Sequence, residues 1–203
     1  EIAAARPDLR IDMLTHSLGA RVAVRAGLAE PGLPLGRLIF LAAAEHAAEA
    51  ERFLAAMRGA PEVYHLLSRA NDPYDALFAL VAPAPADGSA RPLGRAGLGR
   101  GDPRWIDIQL DHRAVRAWLA RRGFALARPP ERVSHWHFYA DRGAMAFYGA
   151  ILRRARGLSL AELRAAGLPE ALEPRWARIL PRLPAAAPGA TEADLPEAGL
   201  TRI

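Results

Sequence analysis

Ser17 is the residue of this chain best placed for chemistry. It stands in Thr15-His16-Ser17-Leu18-Gly19, directly after the strand-like run Arg10-Ile11-Asp12-Met13-Leu14-Thr15 and directly before a helix-like segment. A strand that turns sharply into a helix lifts a serine hydroxyl above the sheet edge and leaves the following N–H groups without intrahelical acceptors. That arrangement suits attack on a carbonyl carbon and stabilisation of the oxyanion that forms. Gly19 and Ala20 keep the helix side of the turn small, and the Leu18 N–H is the expected oxyanion donor. Thr15 occupies the position where a glycine would give the strand and helix most room. The competing reading is that Ser17 only caps the helix after it.

A serine hydroxyl needs a base to take its proton and a group that orients the base. His135, in the aromatic-rich run Val133-Ser134-His135-Trp136-His137-Phe138-Tyr139, is the preferred base, with His137 and His112 as alternatives. Asp72 is the preferred orienting acid because it follows a strand-like run and precedes Pro73, a residue suited to the first turn of a helix. Asp75 is the runner-up, and Glu45 the third candidate. Each of these carboxylates also has a bland reading in the first turn or cap of a helix, where the dipole favours negative charge.

The elements that must carry these groups read as α/β. The apolar run from Arg37 to Ala44 is a strand buried on both faces, and with the Arg10–Thr15 strand it flanks a helix from Leu18 to Leu28 that Pro31-Gly32 ends. Glu62–Leu67 is a third strand, and Trp105–Leu110, which alternates apolar and polar residues, is expected at the sheet edge. Helices are expected from Ala47 to Met57, with Glu49, Glu51 and Arg52 on the solvated face, from Pro73 through Val81, from Asp111 to Arg122 and from Asp141 to Arg156. Ser159-Leu160-Ala161-Glu162 is a capping box opening another helix, and Trp176, Ile179 and Leu180 could pack a last one. Pro83–Pro103, rich in Pro, Gly and Arg, reads as a flexible loop near the site. His46 reads as a surface or helix-start residue.

Composition limits the alternatives. A chain of 203 residues that is 51% hydrophobic can bury one substantial core, and its apolar runs are too short to span a bilayer. Without cysteine there are no disulfides and no thiolate chemistry, which leaves the redox compartment undetermined; a cytoplasmic address is the default expectation. All 27 basic residues are arginine and they are scattered, so the net charge of +5 argues for no nucleic-acid stripe. No metal and no organic cofactor is expected.

With these residues in place, the chain resembles the α/β-hydrolase superfamily, over roughly Arg10 to Ile151. It is similar to bacterial hydrolases described only as α/β-hydrolase domains, which often show an Asn-Asp pair after a late strand and a His followed by aromatics, here Asn71-Asp72 and His135-Trp136. The resemblance implies a three-layer, mostly parallel sheet flanked by helices, entered just before the nucleophile turn and without the strands that precede it in the family. It implies hydrolysis of a small carboxylic ester, thioester or related acyl substrate through an acyl-serine intermediate on Ser17. The organisation expected is a hydrolase-like domain over 1–157, C-terminal helices packed on it over 158–181, and a flexible Ala/Pro-rich tail over 182–203. The reading from a different class is a non-catalytic binding domain on the same scaffold.

Overall fold

The apolar runs form four parallel strands, β1 (Ile11–His16), β2 (Leu35–Leu41), β3 (Glu62–Leu67) and β4 (Trp105–Gln109), paired in the order β1-β2-β3-β4. The structure, a computed structural model, describes residues 6, 8–83, 85, 90–127 and 133–174. The expected helix with Trp176, Ile179 and Leu180, the tail over 182–203 and most of the segment before the first strand lie outside the described residues. Glu1–Glu173 forms one compact unit.

Side chains alternate across the strands and divide between two cores. Leu38 and Phe40 of β2, Val63 of β3 and Trp105 of β4 pack with α1 (Leu18–Ala29) and α2 (Ala47–Ala56). Ile39, Leu41, Tyr64, Leu66, Ile106 and Ile108 pack with α5 (Arg113–Ala120), α7 (Arg142–Leu152) and α8 (Leu160–Ala165). The chain is therefore an α/β protein, with helices on both faces of a parallel sheet. Between these lie a 3₁₀ turn (Arg69–Asn71), α3 (Asp72–Val81), α4 (Leu93–Ala96) and α6 (His137–Ala140). The Ser159–Glu162 capping box is present in full, and Leu158, Leu160, Leu163 and Leu168 join the second core.

Three sequence expectations change. Glu49 is buried rather than solvated, because Arg25 from α1 and Arg52 from its own helix both reach its carboxylate. His46 does start α2, as its N-cap, but it is buried rather than at the surface, donating from Nε2 to the Pro83 carbonyl and packing on Phe78. The Gly-rich part of Pro83–Pro103 is not a loose excursion over its described residues: Leu93 is in the core, and the Leu98 and Gly99 N–H groups bond to Asp107. β4 stands at the end of the sheet as expected, yet all its residues are buried.

Because all strands are parallel, their carboxyl ends lie along one edge, the place where open α/β sheets put ligand sites. Ser17 follows β1 there, Ala42–Ala44 follow β2, and Asn71–Asp75 follow β3.

Candidate active site

Ser17 has φ 54° and ψ −121°, a backbone conformation that side chains other than glycine's rarely adopt. Such a position costs about 1–3 kcal/mol and persists only where its surroundings enforce it. Here its N–H bonds the Leu41 carbonyl at 2.9 Å, and its own carbonyl accepts from Ala44 N at 3.1 Å, tying the turn to the end of β2. Ser17 makes no side-chain cap bond to α1, so the capping alternative is not what the hydroxyl does. The Leu18 and Gly19 N–H groups precede the first intrahelical acceptors and stand at the positive end of the helix dipole. Thr15 is accommodated because residue 19 is glycine: a Cβ there would meet Thr15 Cβ at 3.3 Å.

Ser17 and His135 line one cleft of about 190 Å³ together with Leu18, Asn71, Tyr74 and Asp75. The His135 ring is held from several sides. Tyr74 stacks on it with centroids 4.6 Å apart, and His16 lies 4.3 Å away on a tilted plane. His16 Nε2 donates to the His135 carbonyl at 2.9 Å, and Ser134 N bonds Ala70 O at 3.0 Å, fixing the loop to β1 and to the 3₁₀ turn. Burial, with the nearby charges of His16 and His137, pushes the His135 imidazole down to about 4. At neutral pH it is therefore uncharged, the state a general base requires.

The partner at His135 Nδ1 is the Asn71 Oδ1, at 2.6 Å. Asp72, the preferred acid of the sequence reading, starts α3 with Oδ1 3.6 Å from Arg69 Nη1. Successive helical residues project about 100° apart, so Asn71 and Asp72 face different directions, whereas Asn71 and Asp75 share a face. Asn71 Nδ2 donates to Asp75 Oδ1 at 3.0 Å. Glu45 is fully buried and pairs with Arg21 at 2.9 Å.

The other histidines have separate surroundings. His112 caps α5, its Nδ1 accepting from Ala114 N at 3.0 Å and Val115 N at 3.4 Å. His137 bonds through Nδ1 to the Ser134 carbonyl and lines a second cavity of about 290 Å³ with Ser68, Asp111 and Arg116. Sequence reasoning missed His16 and underused Asn71. The one signal for either was position, His16 beside Ser17 and Asn71 beside Asp72.

Among the described residues, no group of three or more His, Asp or Glu is arranged to hold a metal ion, and no helix is long and apolar enough to cross a membrane. In comparisons with known proteins, the chain matches no family model, no curated protein and no solved structure.

Proposed function

We propose that this protein is a serine hydrolase of the α/β-hydrolase type, acting on a carboxylic ester or thioester through an acyl-serine intermediate. The observation that carries this reading is the left-handed Ser17 backbone at a strand-to-helix turn, in one cleft with an uncharged His135. Ser17 Oγ attacks the acyl carbon while His135 Nε2 takes the hydroxyl proton, and the Leu18 N–H receives the developing oxyanion. The imidazolium returns that proton to the leaving alcohol or thiol. Water, deprotonated by the same nitrogen, then releases the carboxylic acid and restores Ser17.

The lining supports an apolar acyl group. Leu18, Tyr74, Leu77 and Val81 all border the cleft and are exposed, an arrangement that costs hydration unless a ligand covers it. At about 190 Å³ the cleft is smaller than pockets for drug-sized ligands, so short acyl chains fit best. Leu77→Asp is expected to raise KM roughly tenfold for p-nitrophenyl butyrate while changing KM for the acetate little, since each buried methylene contributes ~0.8 kcal/mol. Equal effects on both esters would remove Leu77 from the acyl site.

The test of the reaction itself is covalent. A fluorophosphonate probe is expected to label the protein, with the adduct located on Ser17 by peptide mass spectrometry. A chain that takes no label and hydrolyses no p-nitrophenyl ester is not a serine hydrolase.

A further inference from the structure

Asn71 joins two groups that the reaction does not otherwise connect. Its Oδ1 meets His135 Nδ1 at 2.6 Å, and its Nδ2 donates to Asp75 Oδ1 at 3.0 Å. A carboxamide has one accepting end and one donating end, whereas an ionised carboxylate only accepts. Asp75 therefore holds the donating end of Asn71, and the accepting end must face the imidazole. The proton of neutral His135 then resides on Nδ1, and Nε2 keeps the lone pair that a base needs.

We propose that Asp75 is a positioning residue that acts through Asn71 to set the tautomer of His135. Its catalytic consequence rests on the serine hydrolase reading, while the tautomer itself does not.

Asp75 sits in a place built for it. It is buried against α4, where Gly94 lets it approach: a Cβ at residue 94 would lie 2.4 Å from Asp75 Oδ1. The charged groups facing it are Asp72 on its own helix, Arg69 on the 3₁₀ turn and Arg95 on α4, and Arg69 Nη1 donates to the Arg95 carbonyl at 2.8 Å. Burial pushes the Asp75 carboxyl up to about 7, opposed by the Asn71 hydrogen bond and the charges of Arg69 and Arg95 and reinforced by Asp72. Asp75 thus changes charge near neutral pH, well above the range near 4 where His135 titrates. Above pH 7 the carboxylate orients the amide and favours the imidazolium that forms during attack. Below pH 7 that support falls away, so turnover rises with pH through this window.

The experiment is long-range ¹H–¹⁵N spectroscopy of the imidazoles in the ¹⁵N-labelled full chain, followed from pH 5 to 9. Wild-type His135 is expected as the Nδ1–H tautomer, with a step in its ¹⁵N shifts near pH 7 although the ring itself stays neutral. Asp75→Ala is expected to lose that tautomer in favour of Nε2–H, and to lose about 10²-fold in kcat/KM, less than the ~10⁴-fold cost of removing a directly bonded orienting carboxylate. Asp75→Asn, nearly isosteric, keeps the fold and an acceptor for Asn71. It should retain the tautomer and lose the step near pH 7, which tests the idea even if the alanine variant does not fold. An unchanged tautomer in Asp75→Ala, or a step that persists in Asp75→Asn, overturns the proposal. The expected spectra in a wild-type chain that never labels with fluorophosphonate would support the relay and remove the hydrolase reading alone.

Discussion

Ser17→Ala is expected to lower kcat for p-nitrophenyl butyrate by ~10⁴-fold or more, at least ~5.5 kcal/mol of transition-state stabilisation. In the proposed reaction one atom carries the covalent step: without Oγ there would be no acyl intermediate, and only binding and the oxyanion donor would remain. His135→Ala should cost a similar factor, because a serine hydroxyl left with its proton is a poor nucleophile. The double variant should be scarcely worse than either single one, since the proposed base and nucleophile would act as a unit. Steady-state kinetics on the four proteins, with circular dichroism to verify folding, decides this. Losses that multiply in the double variant would mean that the two residues do not act in one step.

The same position makes an opposite prediction for stability. Ser17 is held at φ 54°, ψ −121°, a conformation that glycine adopts with little strain. Ser17→Gly is therefore expected to raise the unfolding free energy by about 1–2 kcal/mol while abolishing activity, whereas Ser17→Ala keeps the strain and gains nothing comparable. Chemical denaturation of the two variants separates these outcomes. A glycine variant less stable than wild type would show that the serine side chain stabilises the turn.

How much of this was legible in the sequence depends on how local each cause is. β2 could be read from composition because both its faces are buried, and Ser17 because strand, turn and helix are contiguous in the chain. The His135 assignment came from chain order and the aromatic run. Its partner could not be read, since Asn71 is 64 residues away and a neutral amide carries no charge signal to set it apart from Asp72. Glu49 reads as solvated, and His46 as a surface or helix-start residue, because their burial depends on Arg25 and Pro83, partners from other elements. The Gly-rich loop lacks any hydrophobic period, and what fixes it is backbone N–H bonding to a carboxylate on a strand, which leaves no pattern in the loop's own sequence.

That carboxylate is where the largest loss of stability is expected. Asp107 is buried in mid-strand and accepts from four donors: His65 Nδ1 at 2.7 Å, Trp105 Nε1 at 2.9 Å, Leu98 N at 3.0 Å and Gly99 N at 2.7 Å. Burial alone would raise its pKa, but the bond and charge of His65, with the donors of Trp105 and Gly99, hold it below the usual carboxylate range. A lowered carboxylate contributes stability at neutral pH that is lost as pH falls through the folded value. Asp107→Ala leaves the buried His65 and Trp105 donors, and the two loop amides, without this acceptor and is expected to cost about 3–5 kcal/mol, a fall of roughly 10 °C in Tm for a chain of this size. Asp107→Asn should rescue little, because its NH₂ must point either at the ring donors or at the two loop amides. Thermal unfolding measured at pH 7 checks both variants, and a Tm within about 2 °C of wild type in Asp107→Ala would show that water or rearrangement satisfies the donors instead. The loop held by Asp107 at Leu98 and Gly99 is the one that seats Gly94 against Asp75. Asp107→Ala should therefore also broaden the proposed pH 7 step of His135, while Ser17, whose backbone is held by Leu41 and Ala44 at the end of β2 and not by this loop, is expected still to take the fluorophosphonate label below the new Tm.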